Sequence, residues 1–156
     1  MHYSLFVHAA ETSTNFQTPG ALDSLALVLS DASRENLSAR EYAAISIGNC
    51  GANSEEGAET IVKHHGLMQA LILCLGDTRD IRIQETTVVA IKNCAASSQE
   101  AAFIIAQNGT TLLLLKDLAL QNACMRLRDV VSLLSKCKQL ALKMQTLPRN
   151  PNCDRR

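Results

Sequence analysis

The chain has 156 residues, of which 47% are apolar and 19% charged, and fifteen basic residues balance fifteen acidic ones. This length suits a single domain, and the apolar fraction excludes a disordered chain. The sequence has only five aromatic residues and no tryptophan, whereas single-stranded nucleic-acid binding needs stacking rings. Three prolines and seven glycines are too few turn residues for a many-stranded β fold, so the composition predicts an all-α domain.

Residues 1–19 precede the first strong helical pattern, and we expect them to form a capping helix and loop. Their short apolar run, residues 4–7, is too brief for the apolar core of a secretory signal. No apolar run of the chain approaches the ~18 residues of a membrane helix. The sequence therefore predicts no membrane partner and an intracellular, cytoplasmic location, with the nucleus or a cilium as alternatives.

The helical pattern is clearest in the middle of the chain. A short helix over residues 55–64 follows the pair Asn53-Ser54, which offers a capping residue, and Gly66 is placed to end the helix as a C′ glycine. Residues 67–75 are almost wholly apolar, which predicts a buried helix. Residues 81–95 carry apolar side chains at spacings of three and four. One unit thus consists of a short helix, a buried helix and a longer amphipathic helix.

Sequence markers recur at an interval of about forty-four residues, which indicates an internal repeat. Asn49-Cys50 recurs as Asn93-Cys94 at the end of an apolar helical stretch. Three glycines each open a further apolar stretch: Gly20, Gly66 and Gly109. We divide the chain into a repeat domain over 20–147 and a disordered tail over 148–156. The units of the repeat domain are about 20–65, 66–108 and 109–147.

These units resemble the armadillo repeat family, whose units contain about 40–47 residues. The family's Ala-Leu-x-Asn-Leu-type signature has counterparts at residues 45–50 and 89–94, and its Ile-Val pair before a glycine has counterparts at 61–62 and 104–105. HEAT repeats have a similar length, but they are two-helix units without the glycine and asparagine signature. The resemblance covers residues 20–140. It implies a short right-handed α-α superhelix of about three three-helix repeats, whose third helices line a concave groove.

In many family members the signature asparagine binds the backbone of an extended peptide in that groove. The resemblance nominates Asn49 and Asn93, with Lys136 at the matching place of the third unit. The importin alpha group has tryptophan four residues earlier, where this chain has Ile45, Val89 and Ser132, so a nuclear-import receptor is not expected. One turn further back, the groove positions are Glu41 or Tyr42, Glu85 or Thr86, and Arg128 or Asp129.

Each nominated asparagine also has a purely structural interpretation, because an asparagine near a helix end can bond its own backbone and help to terminate the helix. Tyr42 is the best aromatic anchor for a partner, but it could equally pack against the neighbouring repeat. The complete groove set is Tyr42, Ile45, Asn49, Thr86, Val89, Asn93, Arg128 and Lys136.

No motif of the sequence indicates catalysis or a bound cofactor. The six cysteines include no C-x-x-C pair, so no zinc or other metal site is expected, and most lie in apolar stretches as small buried residues. His64 and His65 adjoin a glycine near a helix end and are not placed for nucleophilic catalysis. We therefore expect a non-enzymatic adaptor or structural subunit. Its partner would be a protein, bound as a peptide in the groove or end-on in a larger assembly.

The zero net charge combines two halves of opposite sign. Residues 1–115 contain twelve acidic and six basic side chains, and residues 116–156 contain three acidic and nine basic ones. The basic part centres on a helix expected over residues 124–145. A nucleic-acid-associated module using this helix is the alternative function, although nucleic acid is not the expected partner. Apolar residues at the uncapped ends of the repeat stack predict self-association as a further mode of interaction.

Overall fold

The computed structural model describes residues 20–31, 33, 36–77, 79–121, 132–136 and 138–139. Within these ranges the regular structure is helical and contains no strand, which confirms the all-α prediction. The helices are α1 (Ala21–Ser30), α2 (Leu37–Asn53), α3 (Glu55–Lys63), α4 (His65–Leu75), α5 (Ile81–Ser97), α6 (Gln99–Gln107) and α7 (Gly109–Gln121). Residues 132–136 and 138–139 are also helical. The expected capping helix over 1–19, the tail over 148–156 and most of the basic helix over 124–145 lie outside the described residues.

Side-chain caps start several of these helices after a single connecting residue. Ser54 begins α3 by accepting a hydrogen bond from the Gly57 N–H through Oγ, at 3.0 Å, and so is the member of the predicted Asn53-Ser54 pair that caps the helix. Ser98 begins α6 in the same way, through the Ala101 N–H at 3.2 Å. Because a cap satisfies an N–H group that lacks an intrahelical partner, the chain can end one helix and begin the next almost at once.

The prediction that Gly66 ends α3 as a C′ glycine is wrong, because Gly66 lies in the first turn of α4. His64 separates the two helices instead, with an extended backbone at φ −77° and ψ 101°. Its Nδ1 accepts a hydrogen bond from the Leu67 N–H at 3.1 Å and so caps α4. The turn therefore needs no left-handed residue, and Gly20 is the residue with positive φ in the described part of the chain.

Helices that occupy the same place in the sequence repeat pack against each other and run parallel. The most extensive contact joins α2 to α5. Its hydrogen bonds run from Asn93 Nδ2 to the Gly48 carbonyl at 3.1 Å and from Ser97 Oγ to the Ala52 carbonyl at 3.3 Å. The sequence separation is 45 residues in both cases, which requires parallel helices in a fixed register. Helices α1 and α4 form the next most extensive contact.

The core between the helices is built from aliphatic side chains and cysteine. Leu29, Ile47, Leu71, Ile91 and Ile105 are each at most 1% exposed. The thiols of three cysteines, Cys50, Cys74 and Cys94, are buried and unbridged, as the sequence predicted.

Two glycines allow α2 and α5 to approach closely. A Cβ atom at Gly48 would lie 3.1 Å from Cα of Ala90, and one at Gly51 would lie 2.4 Å from Sγ of Cys94. Cβ atoms do not tolerate the second distance, so Gly51 is required by packing rather than by a turn. The close approach brings the outward sides of α2 and α5 next to each other.

Candidate functional site

Helix α2 presents three of the nominated residues on one outward side. Tyr42, Ile45 and Asn49 follow one another at spacings of three and four, which places them along one helix face. Tyr42 is 46% exposed and Ile45 is 39% exposed, and Asn49 is exposed as well. The Asn49 amide makes no hydrogen bond to another described residue, so its donors and acceptor face solvent.

Helix α5 presents the equivalent residues, Thr86, Val89 and Asn93, all half-buried. Because α5 packs parallel to α2 with contacts close to the repeat interval, each residue lies at about the same level along the helix pair as its counterpart on α2. We call the surface formed by these six residues the α2–α5 face. It contains six of the eight nominated groove residues.

The two signature asparagines make different contacts. Asn93 donates a hydrogen bond from Nδ2 to the Gly48 carbonyl of α2, at 3.1 Å, and so ties one helix to the next. Asn49 makes no comparable bond among the described residues. Helices α2 and α5 each continue for four residues beyond their asparagine, so neither residue terminates its helix.

The remaining nominated residues belong to the third unit predicted from the sequence. Lys136 is half-buried and donates a hydrogen bond from Nζ to the Ala96 carbonyl at 3.3 Å. This carbonyl lies in the last turn of α5, where backbone acceptors lack an intrahelical partner and a cation is favourable. Lys136 therefore contacts the preceding unit. Arg128 lies outside the described residues.

Charged groups lie at the N-terminal end of the α2–α5 face. Arg82 is 63% exposed and lies 3.8 Å from a Glu41 carboxylate oxygen and 3.6 Å from one of Asp80. Glu85, half-buried, occupies the position of Glu41 one repeat later. The Asp80 side chain is 10% exposed, and its Oδ1 also accepts from the Arg82 N–H at 2.9 Å, so these charges lie where α5 begins.

The opposite side of α2 carries a buried polar cluster that the sequence analysis did not identify. Arg40, 2% exposed, donates from Nε to the Leu29 carbonyl at 2.9 Å, from one terminal nitrogen to Asp77 at 2.8 Å, and from the other to Cys74 Sγ at 3.4 Å. Arg79 forks onto the two Asp77 carboxylate oxygens at 2.8 Å each. The hydrogen bonds from Arg79 and Arg40 hold the pKa of Asp77 well below its usual range. Helices α1, α2 and α4 and the segment between α4 and α5 meet at this cluster.

A cleft of about 330 Å³ opens beside the cluster. Its lining includes Leu29, Ser30, Arg40, Leu73, Asp77 and Arg79. Helices α1 and α4 supply the apolar walls, and the guanidinium groups supply the polar part. The only sequence signal for it was the short Asp77-x-Arg79 spacing, because Arg40 lies 37 residues from Asp77.

His64 and Cys94 are of residue types that enzymes use in catalysis, and in this fold one caps a helix and the other is buried. His64 caps α4 through Nδ1, and its Nε2 lies 3.3 Å from an Asp23 carboxylate oxygen. Burial raises the pKa of the Cys94 thiol to about 12, which suppresses the nucleophilic thiolate. No group of three or more His, Cys, Asp or Glu side chains with metal-binding geometry occurs among the described residues.

Comparison with protein-family models, with curated proteins and with solved structures finds no match to this chain. Among the helices in the described part of the chain, none combines the length and the apolar character required to cross a membrane.

Proposed function

We propose that this chain is a short armadillo-type superhelix that acts as a non-catalytic protein-interaction module and binds an extended peptide across the α2–α5 face. The observation that carries this proposal is the parallel register of α2 and α5. It sets Tyr42 beside Thr86, Ile45 beside Val89 and Asn49 beside Asn93. A repeated surface of this kind suits a ligand that is itself a repeated, extended backbone.

The proposed roles follow from the exposure of each residue. Tyr42 is the anchor, because its ring gives a large contact area at a small cost in conformational entropy. Ile45 and Val89 provide the apolar floor. The Asn49 amide offers one donor and one acceptor to a peptide group, which is the geometry that an extended backbone requires. Asn93 contributes less, since its Nδ2 already donates to Gly48.

Selection from a displayed library of random linear peptides on the full chain tests the proposal. We expect enriched peptides whose affinity, measured by calorimetry, falls by about 2 kcal/mol in Tyr42→Ala and by about 1 kcal/mol in Asn49→Ala. Leu27→Ala and Gln69→Ala are matched controls, because these exposed residues lie on α1 and α4. Both controls should bind as the wild type does.

Other outcomes would favour the other modes of interaction. Peptides that bind Tyr42→Ala and Asn49→Ala as tightly as the wild type would contradict binding at this face and favour end-on docking. Tight binding of RNA or DNA whose affinity falls steeply with salt concentration would favour the nucleic-acid alternative. Sedimentation at increasing protein concentration tests self-association separately.

A further inference from the structure

The cleft beside Arg40 lies on the other side of α2 from the proposed peptide face. Arg40 and Tyr42 are two residues apart, which separates them by about 200° around an α-helix. Arg40 is 2% exposed whereas Tyr42 is 46% exposed. A ligand in this cleft would therefore not compete with a peptide on the α2–α5 face, and the inference stands independently of the proposed function.

The guanidinium groups in the cleft have hydrogen-bond donors left over. Each guanidinium carries five N–H donors. The Arg79 side chain donates two of its hydrogen bonds to Asp77. Its other three N–H groups have no acceptor in the part of the chain that the structure describes. Arg40 gives one each to Leu29, Asp77 and Cys74, which leaves two. Because the Arg79 side chain is 60% exposed, its free donors are hydrated and can exchange water for the acceptors of a ligand.

The charge of the cluster selects an anion. Two guanidinium groups face a single carboxylate, that of Asp77, so the group of three carries one excess positive charge. Asp31, an exposed carboxylate at the end of α1, is bound by Ser33 and Asn36. It attenuates the positive potential but does not occupy the free donors. A ligand carboxylate could accept from the outward side of Arg79, which is 60% exposed, in the forked geometry typical of arginine.

The walls of the cleft add an apolar requirement. Leu29 is fully buried beneath it, and Leu73, on its rim, is 61% exposed. An exposed leucine beside a polar cleft gains most when a ligand covers it with an apolar group. The volume of about 330 Å³ is near the lower limit of small-molecule sites, ~300–1,000 Å³, and has room for one amino-acid residue.

We propose that this cleft binds the free C-terminal carboxylate of a peptide whose last residue is apolar. The terminal residue of a chain places a carboxylate and an apolar side chain on the same carbon, which matches guanidinium donors beside a leucine wall. The carboxylate accepts from Arg79 and from the remaining Arg40 donors, and the side chain packs on Leu73. An aspartate or glutamate side chain supplies the same carboxylate but no adjoining apolar group.

Titration of the ¹⁵N-labelled full chain with three probes tests this proposal: N-acetyl-leucine, N-acetyl-leucinamide and N-acetyl-aspartic acid amide. We expect N-acetyl-leucine to shift the amide signal of Gly76, which also lines the cleft, and the side-chain signals of Arg79 in a saturable way. N-acetyl-leucinamide and the aspartate probe should each bind roughly tenfold more weakly than N-acetyl-leucine. N-acetyl-leucinamide lacks the carboxylate charge, and the aspartate probe lacks the apolar side chain.

Variants at exposed positions locate the site without unfolding the protein. Arg79→Gln should weaken N-acetyl-leucine binding about tenfold, whereas Arg82→Gln, its matched exposed control on α5, should leave it unchanged. Leu73→Ala should weaken binding about fivefold, whereas Leu113→Ala, 62% exposed on α7, should not.

Three results would overturn the proposal. The first is the absence of a saturable shift at Gly76 and Arg79. The second is equal binding of N-acetyl-leucine and its amide, since the carboxylate would then have no role. The third is unchanged binding in Arg79→Gln while circular dichroism shows the wild-type fold. Tighter binding of the aspartate probe than of N-acetyl-leucine would instead assign the cleft to acidic side chains.

Discussion

Arg40 of α2 and Asp77, between α4 and α5, form an ion pair at 2.8 Å with side chains only 3% and 6% exposed. The pair joins residues that are 37 positions apart, and Arg40 also holds the last turn of α1 through the Leu29 carbonyl. One guanidinium thus fixes the relative positions of α1, α2 and α4.

Removal of one partner of this pair should be strongly destabilising. We expect Asp77→Ala to lower the free energy of unfolding by about 3 kcal/mol, because it leaves the buried Arg40 charge uncompensated. Urea unfolding measures the loss. Asp23→Ala removes an exposed carboxylate and should cost less than 1 kcal/mol. Equal effects of the two substitutions would show that the buried pair has no special role.

The same pair should make stability depend on pH in the acid range. The folded pKa of Asp77 is depressed by Arg79 and Arg40, so on acidification the unfolded chain binds the proton first. The contribution is complete above the ordinary aspartate pKa of about 3.9 and is lost as pH falls below it. Unfolding at pH 7, 5 and 3 should show a decline that is smaller in Asp77→Asn. Glu59 and Asp31, whose pKa values are also lowered by hydrogen bonds, would account for the remainder.

Alanine should have opposite effects on stability at Gly51, which lies in the close contact of α2 and α5, and at Gly109, which begins α7. Gly51→Ala places a Cβ 2.4 Å from Cys94 Sγ and 3.2 Å from the Cys94 backbone nitrogen. We expect a net loss of about 1–2 kcal/mol after the gain in helix propensity. Gly109→Ala meets nothing within 4 Å and should increase stability by about 0.5 kcal/mol.

Thermal unfolding followed by circular dichroism measures both glycine variants. A double-mutant cycle with Cys94→Ala assigns the cause of the loss at Gly51, since removal of the sulfur should reduce the penalty of the new methyl group. A stabilising Gly51→Ala would contradict the packing described for this helix pair.

Thr111 offers a stabilising substitution. Its side chain in α7 is fully buried, and its hydroxyl oxygen has no hydrogen-bond partner in the structure as described. Thr111→Val replaces an unpaired polar group with a methyl group of similar shape and should increase stability by about 1 kcal/mol. Chemical denaturation measures the change. Thr110→Val, at an exposed neighbouring position, should change stability by less than 0.5 kcal/mol.

The sequence predicted what depends on local chemistry and on the repeat. A cap at Asn53 or Ser54 follows from the place of this pair before an acidic first turn, and the 44-residue interval relates Asn49 to Asn93 without any knowledge of their contacts. It could not predict which acceptor the Asn93 amide would reach, because that depends on the separation between α2 and α5. The predicted role of Gly66 as the end of α3 was wrong for a local reason. The His64 ring caps α4, and the presence of a glycine nearby does not reveal this cap.

The cleft beside Arg40 could not be predicted from the sequence, for a different reason. Arg40 lies within an apolar helix and, by composition alone, is an ordinary surface arginine. Only the fold brings its guanidinium to Asp77 and to the Leu29 carbonyl. A buried charge acquires its role from contacts distant in sequence, and a periodic pattern contains no information about those contacts.

Gly48 and Gly51 have no glycine counterparts one repeat later, where the chain has Lys92 and the buried Ala95. We therefore expect the corresponding helix of the predicted third unit to approach α5 less closely than α5 approaches α2. If the predicted middle unit were duplicated, Lys92 and Ala95 would occupy the positions that Gly48 and Gly51 occupy in the contact between α2 and α5. Any lengthening of this array by duplication would need compensating changes at those two positions.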